Sequence, residues 1–338
     1  MPTIKDVSER AGVSSATVSH VINATRYVSD EVKERVFKAI EELDYKPNFI
    51  ARTLRSGKSN TVGLIVPNTL NPYFTEIAWC IEQVAHRRDY SVIICNTENK
   101  PDKEEFYLNV LIRKQVDGII FIASGDYKGT TDVLASARVP HVMLDRELPD
   151  SGDSCATVMT DEQAGAEMAM EHLVSLGHKR IACVTGGALQ VASVKRLDGY
   201  NAVLRKHGIE QDPDLIVSGD YQMQSGYVAG CALLKQPHRP TAVFAFNDLM
   251  AFGVLRAAAD NGINVPGDLS LVGFDNIEMA AYSIPTLTTV SQSKEEIAAK
   301  AFALLMRIIN NQRIKERTIV LRPKMIIRNT TDIPAGSK

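Results

Sequence analysis

Thr3-Ile-Lys-Asp-Val-Ser-Glu-Arg-Ala-Gly12-Val-Ser-Ser-Ala-Thr-Val-Ser-His-Val-Ile-Asn23 is the stretch from which the organisation of the chain is read. Apolar residues fall at Ile4, Val7 and Ala11, then at Val13, Val18, Val21 and Ile22, a helical spacing split into two short blocks at Gly12. Thr3 can cap the first block with Asp6 three residues on, and Ser14 or Ser15 can cap the second by accepting from an orphan N–H. The second block sets Ser15, Ala16, Ser19, His20 and Asn23 opposite Val18, Val21 and Ile22, so one side packs and the other is open for recognition. Two helices meeting at a tight turn, the second with a polar outer face, form the helix-turn-helix layout that offers its second helix to a major groove. The plain alternative is a small three-helix core whose polar side is merely solvated.

The next residues weigh against that alternative. A third helix is written from Ser29, with Asp30 and Glu31 in its first turn and Val32, Val36, Ile40 and Leu43 along one face, ending before Pro47. After it, Lys46-Pro-Asn-Phe-Ile-Ala-Arg-Thr-Leu-Arg-Ser-Gly-Lys58 carries Lys46, Arg52, Arg55 and Lys58 and no acid, which suits phosphate. Residues 1–60 hold ten Lys/Arg against eight Asp/Glu, whereas the remainder holds 28 against 32. Basicity is therefore local to the segment shaped for a groove, and the whole chain, at net charge −2, is no general polyanion binder.

Thr3-Ile-Lys-Asp-Val, Val13-Ser, Thr17-Val-Ser-His-Val-Ile-Asn23, Tyr45-Lys-Pro-Asn48 and Ala51-Arg-Thr-Leu-Arg55 resemble, in order and spacing, the start of the bacterial regulators of the lac repressor and purine repressor family. The resemblance runs to the C-terminus. It implies a homodimer that grips a palindromic, double-stranded operator with two helix-turn-helix units and folds a short hinge helix into the minor groove. On that reading Ser15, Ala16 and His20 lie against base edges, while Thr17, Asn23 and Arg26 chiefly fix phosphates. Thr3, Tyr45 and Ile50 complete the DNA-binding set with Ala51, Leu54 and Arg55. Asn48–Arg55 is shorter than the ~12–15 residues an isolated helix needs, so it should order only against its dimer mate on DNA. There Leu54 is expected as the wedge at the central base step, Ala51 as the point of close helix approach and Arg55 as a groove contact.

A length of 338 residues allows a small head and a two-lobed body, and 45% hydrophobic residues suffice for ordinary cores. Cys80, Cys95, Cys155, Cys183 and Cys231 are widely spaced, mostly in apolar runs, and read as reduced core thiols. No Cys-x-x-Cys or His-Glu-x-x-His occurs, so neither a metal nor a cofactor is expected. The N-terminus begins charged, and no run reaches the ~18 apolar residues of a membrane helix. The expected place is the bacterial cytoplasm, on the nucleoid.

Gly57-Lys58-Ser59 imitates the end of a phosphate-binding loop, but position 52 is Arg rather than the required glycine and no strand precedes it. From Val62 onward strand-like runs alternate with helix-like stretches. The runs are Val62–Val66, Tyr90–Cys95, Gly118–Ala123, His141–Leu144, Ala156–Met159, Arg180–Val184, Thr241–Phe246 and Leu269–Phe274. Between them lie Tyr73–Arg88, Gln163–Leu176, Val194–Lys206, Ser225–Leu234, Asp248–Asn261 and Lys294–Asn310. Such alternation means parallel sheets covered on both faces, and the strands are too many for one sheet. The predicted architecture is an all-α helix-turn-helix head with a hinge helix, followed by an α/β body of two Rossmann-like lobes of the type I periplasmic-binding-protein kind. The expected bounds are 1–46 for the head, 47–60 for hinge and linker, 61–161 with 292–322 for the first lobe, and 162–291 with 323–332 for the second. Periplasmic sugar-binding proteins share the body but carry a signal peptide and no such head. This chain reverses both features, which argues for a sensor inside the cell. Arg328–Lys338 is short and polar and offers no heptad run for tetramers.

Ligands of open α/β sheets sit beyond the carboxyl ends of the strands. The polar and aromatic residues expected there are Asn71, Tyr73 and Phe74, then Asp145-Arg146, Asp161, Gln190 and Arg196, Tyr221, Asn247-Asp248, Asp275-Asn276 and Gln292. Singly, any Asn or Asp could be a helix cap. Together they suit a ring with many hydroxyls, with carboxylates and guanidinium groups on paired hydroxyls and aromatic rings over the C–H face. Asn71-Pro-Tyr-Phe74, Asp145-Arg146, Arg196, Asn247, Phe274-Asp275 and Gln292 resemble the ligand positions of ribose-type binding proteins and repressors. The purine-binding branch of the family has Arg and Thr where this chain has Gln190 and Ala192. The expected effector is a monosaccharide, such as ribose or another pentose, that releases the operator.

Two other function classes compete with this one. A purine, a nucleoside or a partner protein could replace the sugar in the same kind of regulator. An α/β enzyme would need an activated nucleophile, a metal or a cofactor loop, and no Gly-x-Ser-x-Gly or Gly-x-Gly-x-x-Gly occurs. Asp145 and Asp275 are expected to be held ionised by Arg146 and Arg196, unlike an acid/base pair with split pKa values.

Overall fold

The computed structural model describes residues 2–23, 26–46, 58–122, 133–134, 137–145, 154–187 and 190–335. The chain divides into two compact units, Met1–Ser59 and Asn60–Lys338.

In the first unit, helices α1 (Ile4–Ala11), α2 (Ser15–Asn23) and α3 (Asp30–Glu42) form as the spacing predicts. Thr3 and Asp6 make a reciprocal capping box: Asp6 N–H donates to Thr3 Oγ1 at 3.3 Å and Thr3 N–H to Asp6 Oδ2 at 2.7 Å. Gly12 ends α1 in the left-handed region, at φ +65, where a side chain would be strained. Of the two candidate caps for α2, Ser14 is the one used, accepting from Thr17 N–H at 3.0 Å. Val7, Val18 and Val36 are fully buried together with Ala11, Val21, Ala39 and Tyr45. Each of these helices is too short or too marginal to persist alone, so the shared core holds them.

The second unit carries two six-stranded sheets. The first contains β1 (Thr61–Val66), β2 (Ser91–Asn96), β3 (Gly118–Ile122), β4 (His141–Leu144), β5 (Cys155–Thr160) and β11 (Thr318–Leu321), in the order β11-β5-β4-β3-β1-β2. The second contains β6 (Ile181–Thr185), β7 (Ile216–Ser218), β8 (Ala242–Ala245), β9 (Ser270–Asp275), β10 (Thr288–Ser291) and β12 (Lys324–Ile326), in the order β12-β10-β9-β8-β6-β7. Every pairing is parallel except β10 with β12. The covering helices are α4 (Pro72–His86), α5 (Pro101–Arg113), α6 (Glu162–Ser175), α7 (Val191–Lys206), α8 (Met223–Leu234), α9 (Asp248–Asp260) and α10 (Lys294–Ile309).

The eight strand-like runs of the sequence all form strands within a residue or two. Central strands such as β3, β4, β8 and β9 are buried throughout, which is why they read as unbroken apolar runs, whereas β2 at the sheet edge is half exposed. Strands β7, β10, β11 and β12 escape the sequence reading because they are only three or four residues long and mix Thr, Ser and Lys with apolar residues. Their pairing partners, not their own pattern, make them strands.

The chain passes from the first sheet to the second between β5 and α6. It returns between β10, in the second sheet, and α10, which packs on β3, β4 and β5 of the first. It passes over again between β11 and β12. Leu249 and Ile277 of the second lobe are buried in the apolar cluster of the first, so the lobes share a dry contact. In each sheet the strand order reverses once, between β1 and β3 and between β6 and β8. Such a reversal opens a crevice at the carboxyl ends of the strands. No helix among the described residues is long and apolar enough to cross a membrane.

Candidate functional site

On α2, Ala16 is exposed and Ser15, Thr17, His20 and Asn23 are half-buried. Ser19 departs from the expectation: it is buried, because the packed stripe of a helix is wider than the three apolar positions Val18, Val21 and Ile22. Ser15 also leans inward, its hydroxyl donating to Ser8 Oγ at 3.1 Å, and the Asn23 amide donates to the carbonyl of Ser19 at 2.7 Å. Arg26 is exposed, Thr3 is committed to its cap and Tyr45 is packed in the core. Ile50, Ala51, Leu54 and Arg55 lie outside the described residues.

In the second unit the structure brings together ten of the eleven expected ligand residues around a cavity of about 110 Å³: Asn71, Tyr73, Phe74, Asp145, Gln190, Arg196, Tyr221, Asn247, Asp275 and Gln292. Arg146 lies outside the described residues. The connections and helix starts at the two switch points supply half of these ten, after β1 (Asn71, Tyr73, Phe74) and after β6 (Gln190, Arg196). Asp145, Asn247 and Asp275 follow β4, β8 and β9. Asn71 and Asn247 are caps as well as lining residues: Asn71 Oδ1 accepts from Tyr73 N–H at 3.1 Å and Asn247 Oδ1 from Met250 N–H at 2.9 Å. Asn247 then donates its amide to Tyr221 O at 3.1 Å. Gly186 has no side chain because a Cβ there would collide with the Tyr221 ring.

Three strand-end residues do other work. Asp161 caps α6 through Ala164 N–H at 3.0 Å. Asp248 is buried away from the cavity, accepting from Thr289 Oγ1 at 2.5 Å and Ile277 N–H at 2.8 Å. Asn276 bonds Arg328 and Ser291. Conversely, Glu162, Asp220, Gln222, Asn68, Asn99 and Val191 line the cavity without being expected there, and so does Ala192, which the sequence marks only as a departure from the purine-binding branch. Glu162 had a signal: of the pair Asp161-Glu162, the first residue faces outward as the cap, which turns the second inward.

A chain of polar contacts crosses the site. Tyr73 Oη donates to Gln292 Oε1 at 2.8 Å, and Gln292 Nε2 donates to Asp275 Oδ1 at 2.9 Å. Arg196 Nη2 lies 3.7 Å from the same Asp275 oxygen, its Nε donates to Glu162 Oε2 at 2.6 Å, and its Nη1 donates to Phe246 O. The guanidinium stacks on Phe274, 3.6 Å from the ring centroid. Burial would lower its pKa, but Glu162, Tyr221 and Asp275 carry it above the ordinary arginine value.

The two carboxyls do not behave as expected. Burial, with repulsion from Glu162, pushes Asp145 up to about 7 against the pull of Arg196. Burial pushes Asp275 up to about 8, again against Arg196. For Arg196 the expectation that it holds both ionised is corrected: loss of water outweighs that guanidinium, already shared with Glu162, while Arg146 lies outside the described residues. Asp145, Tyr221 and Asp275 also sit at φ +60, +65 and +110, a concentration of backbone strain at one cavity. Among the described residues no group of three or more His, Cys, Asp or Glu could hold a metal ion.

Comparison with known proteins agrees with both halves of this geometry. Residues 3–48 match the family described as bacterial regulatory proteins, lacI family, and residues 170–331 match a periplasmic binding protein-like domain. The protein called HTH-type transcriptional repressor PurR of Vibrio atlanticus is 36% identical over 331 residues, 98% of each chain. The lac repressor dimer bound to operator and the anti-inducer ONPF superimposes with a TM-score of 0.88 at 29% identity, over 98% of this chain and 99% of that one. A LacI family transcriptional regulator from Enterococcus faecium with bound ribose gives 0.73 at 31% identity, over 81% of this chain and 99% of that one.

Proposed function

The chain belongs to the lacI family of bacterial regulatory proteins, and on that premise we propose that its cavity takes a monosaccharide, a pentose such as ribose, whose binding releases a palindromic operator from a homodimer. That it is a ligand-responsive, DNA-binding repressor and not an enzyme follows from the family. The proposal concerns the effector, the direction of the response and the residues that carry both.

The observation that carries the sugar reading is the state of Arg196. Its Nε and Nη1 donate to Glu162 and Phe246 O, its Nη2 lies 3.7 Å from Asp275 Oδ1, and Phe274 covers its face. It therefore stiffens the site more than it offers itself to an anion. What remains toward the cavity is the carboxyls of Asp145 and Asp275, which donate when protonated and accept when ionised, beside the amides of Asn247 and Gln190. An effector rich in hydroxyls, which donate and accept alike, fits that inventory, with Tyr73 and Phe74, edge to face at 5.3 Å, over its C–H side. The ribose-bound regulator from Enterococcus faecium supports the same class. On the DNA side, Ser15, Ala16 and His20 would meet base edges, and Thr17, Asn23 and Arg26 phosphates. Thr3, Tyr45, Ile50, Ala51, Leu54 and Arg55 would complete the contact.

A second reading is a purine or nucleoside effector, favoured by the full-length relatives that bear the name PurR. Ring stacking on Tyr73 and Phe74 would serve a base as well as a sugar. Gln190 and Ala192 weigh against it, since they depart from the Arg and Thr of the purine-binding branch.

A thermal-shift series with D-ribose, other pentoses, hexoses, nucleosides and free purines separates the two. A ligand at 100 times its Kd adds about 2.7 kcal/mol to folding stability. A pentose that raises the melting temperature and weakens operator binding supports the proposal. A purine that does so while every sugar is silent overturns it in favour of the second reading.

A further inference from the structure

We infer that Glu76 and Lys294 form a positioning brace between the two lobes, one that sets the angle at which Tyr73 and Phe74 face Asp275 and so governs effector affinity without touching the effector. The inference rests on the reading of this cavity as the effector site. Neither residue lines the cavity, and each is joined to residues that do.

Lys294 opens α10, immediately after the chain returns from the second sheet to the first. Its ammonium group has three N–H donors, and all three find acceptors: Glu76 Oε2 at 2.6 Å, Asn276 O at 2.7 Å and Asp275 O at 3.3 Å. Lys294 is only 8% exposed, a position at which an ammonium persists only when paired and fully bonded. The two carbonyls belong to the strained residues of the β9 exit, Asp275 at φ +110 and Asn276 at φ +51. That two-residue turn aims the Asp275 carboxyl into the cavity, so the lysine secures the conformation on which the site depends.

Glu76, like Lys294, belongs to the first lobe. It follows Tyr73 and Phe74 in the first turns of α4, the helix that presents both rings to the cavity. Its second carboxylate oxygen accepts from Glu278 N–H at 2.9 Å. One side chain of the first lobe therefore reaches the 275–278 segment of the second lobe at two places, once directly and once through Lys294. A change in the angle between lobes must break or reform these bonds. An effector binds a pre-set pocket more tightly than one that is open most of the time, by the fraction of chains already competent.

The test uses the full-length protein as wild type, Lys294→Met, Glu76→Gln and, as a control, Lys300→Met at an exposed lysine of the same helix. Hydrogen exchange is followed in peptides spanning 273–279, D-ribose affinity by calorimetry and global stability by thermal melting. For Lys294→Met we expect exchange at 275–278 to speed up by about tenfold and D-ribose affinity to fall by about tenfold, as for a pocket competent one tenth of the time. The melting temperature of Lys294→Met should fall, because three acceptors lose their donor, whereas the Lys300→Met control should stay at the wild-type values. Glu76→Gln keeps an acceptor for Glu278 N–H and should show a smaller effect in the same direction. If Lys294→Met does not fold, Glu76→Gln, whose side chain reaches solvent, carries the measurement. Exchange at 275–278 unchanged from wild type overturns the brace. Faster exchange spread evenly over the second sheet also overturns it, because general destabilisation produces that pattern. If wild type does not bind D-ribose, the sugar proposal fails, whereas faster local exchange in the variants still supports the brace.

Discussion

Arg196 and Glu162 form a buried ion pair, Nε to Oε2 at 2.6 Å, with side chains 5% and 7% exposed, joining the second turn of α7 to the start of α6 in the wall of the cavity. Removing one partner of such a pair strands the other charge away from water, at a cost of about 3–5 kcal/mol. Glu162→Ala should therefore lower the unfolding free energy by roughly that amount, read from urea denaturation. Glu162→Gln, which keeps an acceptor for the guanidinium, should lose less. A Glu162→Ala protein as stable as wild type would mean that Asp275 and Phe246 O alone suffice to hold Arg196.

Asp275 lines the cavity and its carbonyl accepts from Lys294, and it lies outside the unit that carries the helix-turn-helix. Asp275→Ala should abolish the response to D-ribose while operator affinity without sugar stays at the wild-type value. Linkage requires the coupling to be reciprocal, typically about 1–3 kcal/mol in each direction. Operator titrations with and without sugar, on both proteins, give the four affinities needed. A mutant that still answers to the sugar removes Asp275 from the site.

The raised pKa values of Asp145, about 7, and Asp275, about 8, make effector binding depend on pH. Hydroxyl donors prefer ionised acceptors, so sugar affinity should rise between pH 6 and pH 9 with release of protons, which calorimetry in buffers of different ionisation enthalpy detects. Stability of the empty protein moves the other way. The unfolded carboxyl ionises near the ordinary aspartate value of 3.8 while burial holds the folded Asp275 up to about 8. Its contribution is therefore fully present below the unfolded pKa and is lost as pH rises through the folded one. Asp275→Asn should gain stability relative to wild type between pH 5 and pH 9. A difference in melting temperature that does not change over that range would contradict the burial argument.

His20 and Arg26 should separate base reading from phosphate binding. Small residues at Ser15 and Ala16 leave much of the base discrimination to His20, and a good bidentate contact is worth about 1–3 kcal/mol. His20→Ala should flatten the preference among single-base operator variants. Arg26→Ala should weaken all variants alike and reduce the salt slope by about one. An unchanged base preference in His20→Ala would move discrimination elsewhere on α2.

The residues themselves determined the head, the alternating body and most of the cavity. Helical spacing around Gly12, caps at Thr3 and Ser14, and buried β-branched runs are local signals, written within a few residues of where they act. Cavity-lining residues such as Asn71, Asn247 and Asp275 were legible because parallel strands all end on one side, so a polar residue at a strand end already has an address. Only the tertiary structure decided matters that depend on which face of a turn points inward or on distant partners. It turned Glu162 rather than Asp161 into the cavity, drew Asp248 away to Thr289 and Ile277, and buried Ser19 on a helix face that spacing alone leaves open. It made β10, β11 and β12 strands by pairing them with distant neighbours. Above all it set the protonation of Asp145 and Asp275, because a sequence records that an arginine is present but not how much water the fold removes from the carboxyl beside it.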